Sequence, residues 1–304
     1  MKRLRVAVIG ARGIGKFHVR EFKAAGAEII AIVGTSVESL AQTAEDLRSY
    51  GVIPLVYTSL ETLIASQSVD AVSVCTPPEY HYDQAKQCLL AGLHTFCEKP
   101  FICTSDFDNT RFAQELITIA TEKNLVISMN TQWPSVLPFC KPFVNMSKVS
   151  EFSMSMQPLA IGKEMLVEQV SHMNSMLIHL MPEGEASDIR FTQEGEEKRD
   201  VYFTYENNIS KCQVHYAFKH KKERPRAILF SINGTTFERE IGDNHKQTLV
   251  TGESTITIPD PFAASISTFV HAVEKRDEAL VTPRQIIENM RLQDQIMRSY
   301  TLSY

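Results

Sequence analysis

Leu4-Arg5-Val6-Ala7-Val8-Ile9-Gly10-Ala11-Arg12-Gly13-Ile14-Gly15 is the stretch on which the reading of the fold turns. Residues 4–9 form a short apolar, β-branched run, the composition of a strand buried on both faces. The run stops at Gly10. From Gly15 onward Phe17, Phe22 and Ala25 recur with helical spacing, and Gly26 supplies a C-terminal stop. A strand, a glycine turn and a helix in that order set backbone amides and a helix N-terminus facing a phosphate. In the pattern G-x-G-x-x-G, Gly10 and Gly15 hold the first and third places, and Arg12 stands where the middle glycine normally lets phosphates approach. Gly13, next to Ile14, can restore that approach, and the Arg12 guanidinium can itself pair with a phosphate. The alternative is a tight turn in some other α/β protein.

Working outward, the alternation continues. Strands are expected at 28–33, 54–57, 71–75 and 94–97, with helices at 37–48, 59–65 and 79–91 between them. Such alternation predicts α/β architecture: a parallel, doubly wound Rossmann sheet covered on both faces. A helix at 106–123, capped near Ser105, leads to an apolar strand at 125–129, after which the pattern changes. The first domain is therefore expected over 1–125 and the second over 126–304. The second domain shows a strand at 149–156, a helix at 164–181 and alternating segments between 188 and 258, with strands at 201–205, 212–218, 227–232, 237–241 and 255–258. This reads as an α+β domain on a largely antiparallel sheet, with Asn233-Gly234 as a hairpin turn. Helices at 261–275 and 282–299, the second opened by Thr282-Pro283, close the chain and have the option of packing back on the first domain.

At 304 residues and 43% hydrophobic content, the chain has material for two cores. With 31 basic against 36 acidic residues and no long run of one sign, no broad basic face for nucleic acid or anionic lipid is expected. No stretch is apolar for long enough to span a bilayer, and the start lacks the pattern of a signal peptide. Cys75, Cys88, Cys97, Cys103, Cys140 and Cys212 are scattered without a Cys-x-x-Cys pair, which points to reduced thiols and a cytoplasmic location.

A carboxylate at the end of the second strand normally receives the ribose hydroxyls of NAD(H) and repels a 2′-phosphate. This chain has Gly34-Thr35-Ser36 there, so NADP(H) is expected ahead of NAD(H), with Thr35, Ser36 and Arg12 as donors. The blander reading leaves Thr35 and Ser36 as loop residues that cap the next helix.

Further on, Cys75-Thr76-Pro77-Pro78-Glu79-Tyr80-His81 is followed by a helix and then by Ala91-Gly92-Leu93-His94-Thr95-Phe96-Cys97-Glu98-Lys99-Pro100. The Thr-Pro turn, the histidine soon after it, the alanine-glycine helix end and Glu-Lys-Pro after the fifth strand resemble the Gfo/Idh/MocA family of oxidoreductases. So do His18 after the glycine loop and the sheet-rich second half, and the likeness runs along nearly the whole chain. The family's second signature, a glycine-rich approach to Asp-x-x-x-His, corresponds to the run from Gly162 to His172. Here Glu168 and His172 take the acid and histidine places, while Lys163, Glu164 and Val170 depart from the pattern.

The resemblance implies that Lys99 lies where nicotinamide and substrate meet, that Glu98, Thr76, Pro77 and His81 border the cofactor, and that His172 is an acid/base oriented by Glu168. Hydride transfer to or from a carbinol carbon needs one group to move the hydroxyl proton and a cation to stabilise alkoxide character, tasks that suit His172 and Lys99. His172 also fits a core role, because its helix carries Met165, Met173, Met176 and Leu177. A metal site of Glu168, His172 and His179 lacks a further nearby ligand, and no metal is expected. Asn130, Gln132 and Trp133 are candidate substrate contacts, with packing as the alternative for the tryptophan.

The function implied is an NADP(H)- or NAD(H)-dependent dehydrogenase or reductase acting on a small sugar, cyclitol or nucleotide-sugar. A dinucleotide-binding regulator without turnover, and a reductase of imines or unsaturated rings, stay open. Self-association through the second domain's sheet into a homodimer or homotetramer is expected.

Overall fold

The computed structural model describes residues 3–66, 69–242, 246–275 and 277–303. It contains two compact units, Met1–Thr131 with Phe262–Ile286, and Gln132–Pro261 with Ile287–Tyr304.

The first unit is built on a six-stranded sheet of β1 (Arg5–Ile9), β2 (Glu28–Val33), β3 (Leu55–Tyr57), β4 (Ala71–Val74), β5 (His94–Cys97) and β6 (Ile127–Met129). Their spatial order is β3-β2-β1-β4-β5-β6 and every pairing is parallel, as a doubly wound sheet requires. The helices are α1 (Ile14–Ala24), α2 (Val37–Leu47), α3 (Leu60–Ser66), α4 (His81–Leu90) and α5 (Asn109–Glu122). The boundary expected near residue 125 precedes β6, which pairs with β5 through Thr95 and Ile127, and the unit's first segment runs on to Thr131. The helix expected from residue 106 starts at Asn109. Its side chain accepts hydrogen bonds from the Thr104 N–H (2.8 Å) and hydroxyl (3.0 Å), and Phe107 is left-handed at φ 53°, so the residues before it form a turn.

The core of this unit gathers Val6, Val8, Phe22, Ile32 and Phe96, and the later segment adds Ile266, Phe269 and Val270. Phe22 meets Phe96 and Phe269 edge-on, with centroids 5.9 and 6.0 Å away. Within this apolar mass His18, fully buried on α1, brings its Nε2 2.7 Å from Glu98 Oε1 and its Nδ1 2.9 Å from Ser73 Oγ. Burial alone would lower the imidazole pKa, but the Cys75 sulfur and the Glu98 carboxylate overrule it and raise it to about 10. Burial likewise opposes ionisation of Glu98, yet His18, with Lys99 and Asn130, holds its carboxyl down to about 2. Both shifts favour the charged forms, imidazolium and carboxylate.

The second unit carries an eight-stranded sheet of β7 (Glu151–Met156), β8 (Glu185–Glu194), β9 (Lys198–Glu206), β10 (Lys211–Lys219), β11 (Ile228–Ile232), β12 (Thr235–Ile241), β13 (Gln247–Thr251) and β14 (Ser254–Ile258). The order is β14-β13-β12-β11-β7-β10-β9-β8, antiparallel throughout except for β7 with β10. Asn233 and Gly234, at φ 49° and 81°, link β11 to β12 across the Ile232–Thr235 pair, the left-handed two-residue hairpin their chemistry predicts. α6 (Leu137–Cys140) is short, and α7 (Glu164–Leu180) packs on β7 and β10. Along β10, Cys212, Val214, Tyr216 and Phe218 are buried, while the alternate His215 stacks on Tyr202 at 4.4 Å and lies 2.7 Å from Asp200. α8 (Pro261–Lys275) and α9 (Pro283–Ser303) end the chain. Within the second unit α9 meets α7 through polar groups: Ser171 donates to Gln293 Oε1 at 2.7 Å and Asn289 donates to the Ser171 carbonyl at 2.8 Å.

Gly10→Ala should destabilise the protein by roughly 1–3 kcal/mol in backbone strain, and more from collision, because φ is +79° and a Cβ would stand 2.8 Å from the Cys75 carbonyl oxygen. Gly13→Ala, at φ +59° and ψ −118° with open space around it, carries strain without collision and should cost less in total, about 1–3 kcal/mol. Thermal melting of the two variants checks the ranking. The ion pair sets a pH dependence against the neutral double variant H18Q/E98Q. The raised His18 adds stability that is full below its ordinary 6.5 and lost as pH climbs toward about 10, and the depressed Glu98 adds stability that is full above 4.5 and lost as pH falls toward about 2. The wild type's advantage in melting temperature should therefore peak between pH 4.5 and 6.5 and decline on both sides.

Candidate functional site

The turn after β1 is shaped by close approach. Gly10 donates its N–H to the Val33 carbonyl at 2.9 Å, so the turn lies over β2 on one side and Cys75 on the other. Gly15 faces the Gly10 carbonyl so closely that a Cβ there would collide with it. Gly13 is the N-cap of α1, which has no side-chain cap and no acidic residue in its first turn. The Gly15 N–H bonds the Arg12 carbonyl at 3.1 Å, and the positive dipole end with its remaining first-turn amides favours an anion. α2 is the contrasting case, since its N-cap Ser36 accepts from the Ser39 N–H at 3.2 Å and donates to Glu38 at 2.9 Å. The capping reading of Ser36 thus holds, and its hydroxyl proton is directed to Glu38.

A cavity of about 620 Å³ opens beside the turn, lined by Gly10, Arg12, Thr35, Ser36, Thr76 and Pro77 among others. The residues singled out at the glycine loop, the end of β2 and the Thr-Pro turn are thereby brought to one space. Gly13, Ile14 and Gly15 stand outside its lining, in the turn and at the start of α1. Sequence reasoning missed Ser39, Thr43, Thr58 and Ser59, further hydroxyls on this lining, and Gln84, whose Oε1 accepts from the Thr76 hydroxyl at 2.6 Å. The hydroxyl residues that follow β2 and β3, Thr35-Ser36 and Thr58-Ser59, were the available signal. Among the described residues no carboxylate lines the cavity, and Arg12, the one cation of that lining, has no ion-pair partner.

His81 sits at the start of α4 with Nε2 2.8 Å from the Thr76 carbonyl and Nδ1 2.8 Å from the Pro100 carbonyl. It ties the Thr-Pro turn to the Glu-Lys-Pro segment. Glu98, 7% exposed, spends Oε1 on His18 and Asn130 and Oε2 on the Lys99 N–H at 3.3 Å. The side chain expected at the cofactor is thus bonded inside the protein. Asn130, expected at the substrate, is 2% exposed and donates to that carboxylate. Lys99 follows β5, half-buried, at the carboxyl edge of the sheet.

In the second unit Glu168 and His172 occupy one face of α7, one turn apart. Glu168 accepts a long hydrogen bond from the Ala160 N–H at 3.5 Å, and His172 is 7% exposed. His179 bonds the Ser175 carbonyl at 2.8 Å. Trp133 is buried beneath the Arg239 guanidinium, 5.3 Å from its ring centroid, and Gln132 is half-buried beside it. Among the described residues no three His, Cys, Asp or Glu side chains cluster as metal ligands, and no helix is long and apolar enough to cross a membrane.

Residues 4–131 match the model of the oxidoreductase family Gfo/Idh/MocA, described by its NAD-binding Rossmann fold. UDP-N-acetylglucosamine 3-dehydrogenase of Acidithiobacillus ferrooxidans is 33% identical over 129 residues, 42% of this chain and 37% of that protein. Inositol 2-dehydrogenase of Corynebacterium glutamicum is 35% identical over 107 residues, 34% of this chain and 31% of that one. The matches thus span only about a third of these relatives' lengths. Over whole chains, the solved structure of the same Acidithiobacillus enzyme aligns with a TM-score of 0.76 at 20% identity, covering 98% of each. An oxidoreductase from Sinorhizobium meliloti aligns at 0.75 and 15%, covering 100% of this chain and 99% of that one, and at such identities the likeness speaks for the fold. Residues 4–131, with their strand order and glycine turn, are thus similar to the NAD-binding Rossmann domain of the Gfo/Idh/MocA oxidoreductase family.

Proposed function

We propose that the protein is an oxidoreductase that moves hydride between a nicotinamide dinucleotide and the carbinol or carbonyl carbon of a small polyhydroxylated compound, with NADP(H) taken ahead of NAD(H). The observation that carries this reading is the cavity at the glycine turn, hydroxyl-rich, free of carboxylates and furnished with the Arg12 guanidinium beside an uncapped helix end. A carboxylate there would repel a 2′-phosphate, whereas Arg12 attracts one with charge-assisted bonds.

When bound, the dinucleotide supplies the hydride. The chain's own part is to bind, orient and move protons. Gly10 and Gly15 keep the turn low enough for phosphates to approach, and the first-turn amides of α1 receive their charge. The Lys99 ammonium, at the carboxyl edge where such sheets bind ligands, stabilises negative charge on the substrate oxygen. His172, on α7 with Glu168 one turn before it, is the proposed proton carrier. The sugar, cyclitol or nucleotide-sugar class follows the names of the relatives, two of which act on UDP-N-acetylglucosamine and inositol. We infer a homo-oligomer and a cytoplasmic setting, the latter supported by six free cysteines.

A second reading, a dinucleotide-binding regulator without turnover, is favoured by the burial of His172 among Met165, Met173 and Met176. Titration of nicotinamide fluorescence decides first. NADPH should bind more tightly than NADH, and Arg12→Ala should weaken NADPH about tenfold or more, the scale of a lost charge-assisted contact of about 1.5–3 kcal/mol, while sparing NADH. Absence of binding by either removes the proposal. In a screen of sugars, cyclitols and UDP-sugars at saturating NADPH, Lys99→Ala should abolish turnover. Tight binding without turnover of any carbonyl substrate would favour the regulator.

A further inference from the structure

His18 is a costly residue in its place. The same face of α1 presents Val19 and Phe22 to the core, and the imidazole is ringed by Phe22, Phe96 and Phe262, with centroids 6.4, 5.8 and 5.0 Å away. An apolar side chain there would satisfy packing without the several kcal/mol that burial of an ion exacts. What the histidine adds is direction. Its two ring nitrogens address Ser73 Oγ and Glu98 Oε1, so the ring is fixed about both axes by groups from β4 and the end of β5.

Glu98 is then held by donors from three places. Oε1 takes the His18 Nε2 and the Asn130 Nδ2, and Oε2 takes the main-chain N–H of Lys99. At 3.3 Å that last bond is long and has little strength of its own. Its geometry depends on the carboxylate being locked by the other two. The residue so held is the lysine placed at the reaction centre, where displacement on the scale of 1 Å costs a large factor in rate.

We propose that His18 is a positioning residue for Lys99: acting through Glu98, it fixes the main chain that presents the lysine to the nicotinamide half of the dinucleotide. The inference rests on the dinucleotide reading above. It assigns no proton transfer to His18, which lies beneath the lysine's segment and is closed to solvent.

Two probes separate positioning from general support of the fold. NADPH carries the nicotinamide half, and 2′,5′-ADP carries only the adenosine half, which falls to the cavity lined by Arg12 and Thr35. Calorimetric titration of the whole protein should show His18→Leu binding 2′,5′-ADP within twofold of wild type and NADPH at least fivefold more weakly. His18→Gln, which keeps a donor for Glu98, should restore NADPH to within twofold. Glu98→Gln should repeat the His18→Leu pattern, and serves if the leucine variant does not fold. Equal weakening of both probes would reduce His18 to a structural role, and unchanged binding of both would overturn the proposal outright. A wild-type protein that binds neither probe would remove the dinucleotide reading and the inference together, an outcome distinct from the other two.

Discussion

Everything at the candidate site depends on how closely two backbone segments pass. The turn after β1 runs against the carbonyl of Cys75 and the amide of Thr76, and no side chain fits between them at residue 10. That approach is possible because β1 and β4 are neighbours in a parallel sheet, paired from Val6–Ala71 to Ile9–Val74. Both strands end on one edge, and the turns that follow them meet above it. The cavity, the uncapped end of α1 and the Thr-Pro turn follow from that meeting.

The sheet edge also explains why polar chemistry is concentrated beneath the turn. Ser73, Glu98 and Asn130 belong to β4 or to the segments just beyond β5 and β6, and His18 reaches them from α1. A parallel sheet buried on both faces leaves such groups no water, so each must find a partner inside. Most do. The Asn130 Oδ1 has no hydrogen-bond partner among the described residues. The seam between α7 and α9 in the second unit obeys the same rule, with Ser171, Asn289 and Gln293 answering one another in place of solvent.

The parallel half of the fold was legible because its strands are continuous apolar runs broken by Gly10, Gly34 and Thr76-Pro77. The Asn233-Gly234 hairpin was legible for a similar reason, since few dipeptides hold two left-handed residues in a row. β13 was not read, because Gln247-Thr248-Leu249-Val250-Thr251 has only Leu249 and Val250 to mark it and draws its stability from pairing with β12 and β14. The start of α5 was misplaced because Asn109 turns its side chain back on Thr104, a contact no periodicity reveals. Among site residues, the glycine loop and Thr76-Pro77 were recognisable as motifs. The inward use of Glu98 and Asn130 was hidden, because it depends on a histidine 80 residues earlier in the chain.

The first unit is not one continuous piece of chain. Its sheet is complete by Met129, yet its apolar core takes Ile266, Phe269 and Val270 from beyond the whole second sheet. During synthesis the parallel sheet must therefore wait, with Phe22 and Phe96 lacking their last neighbour, until more than a hundred further residues have emerged. The stretch that carries the family's imprint ends at residue 131 and describes the sheet without that cover. The glycine turn with its cavity and the last third of the chain are thus joined in folding: an early stop that spares every residue lining that cavity would still leave the core beneath them open to water.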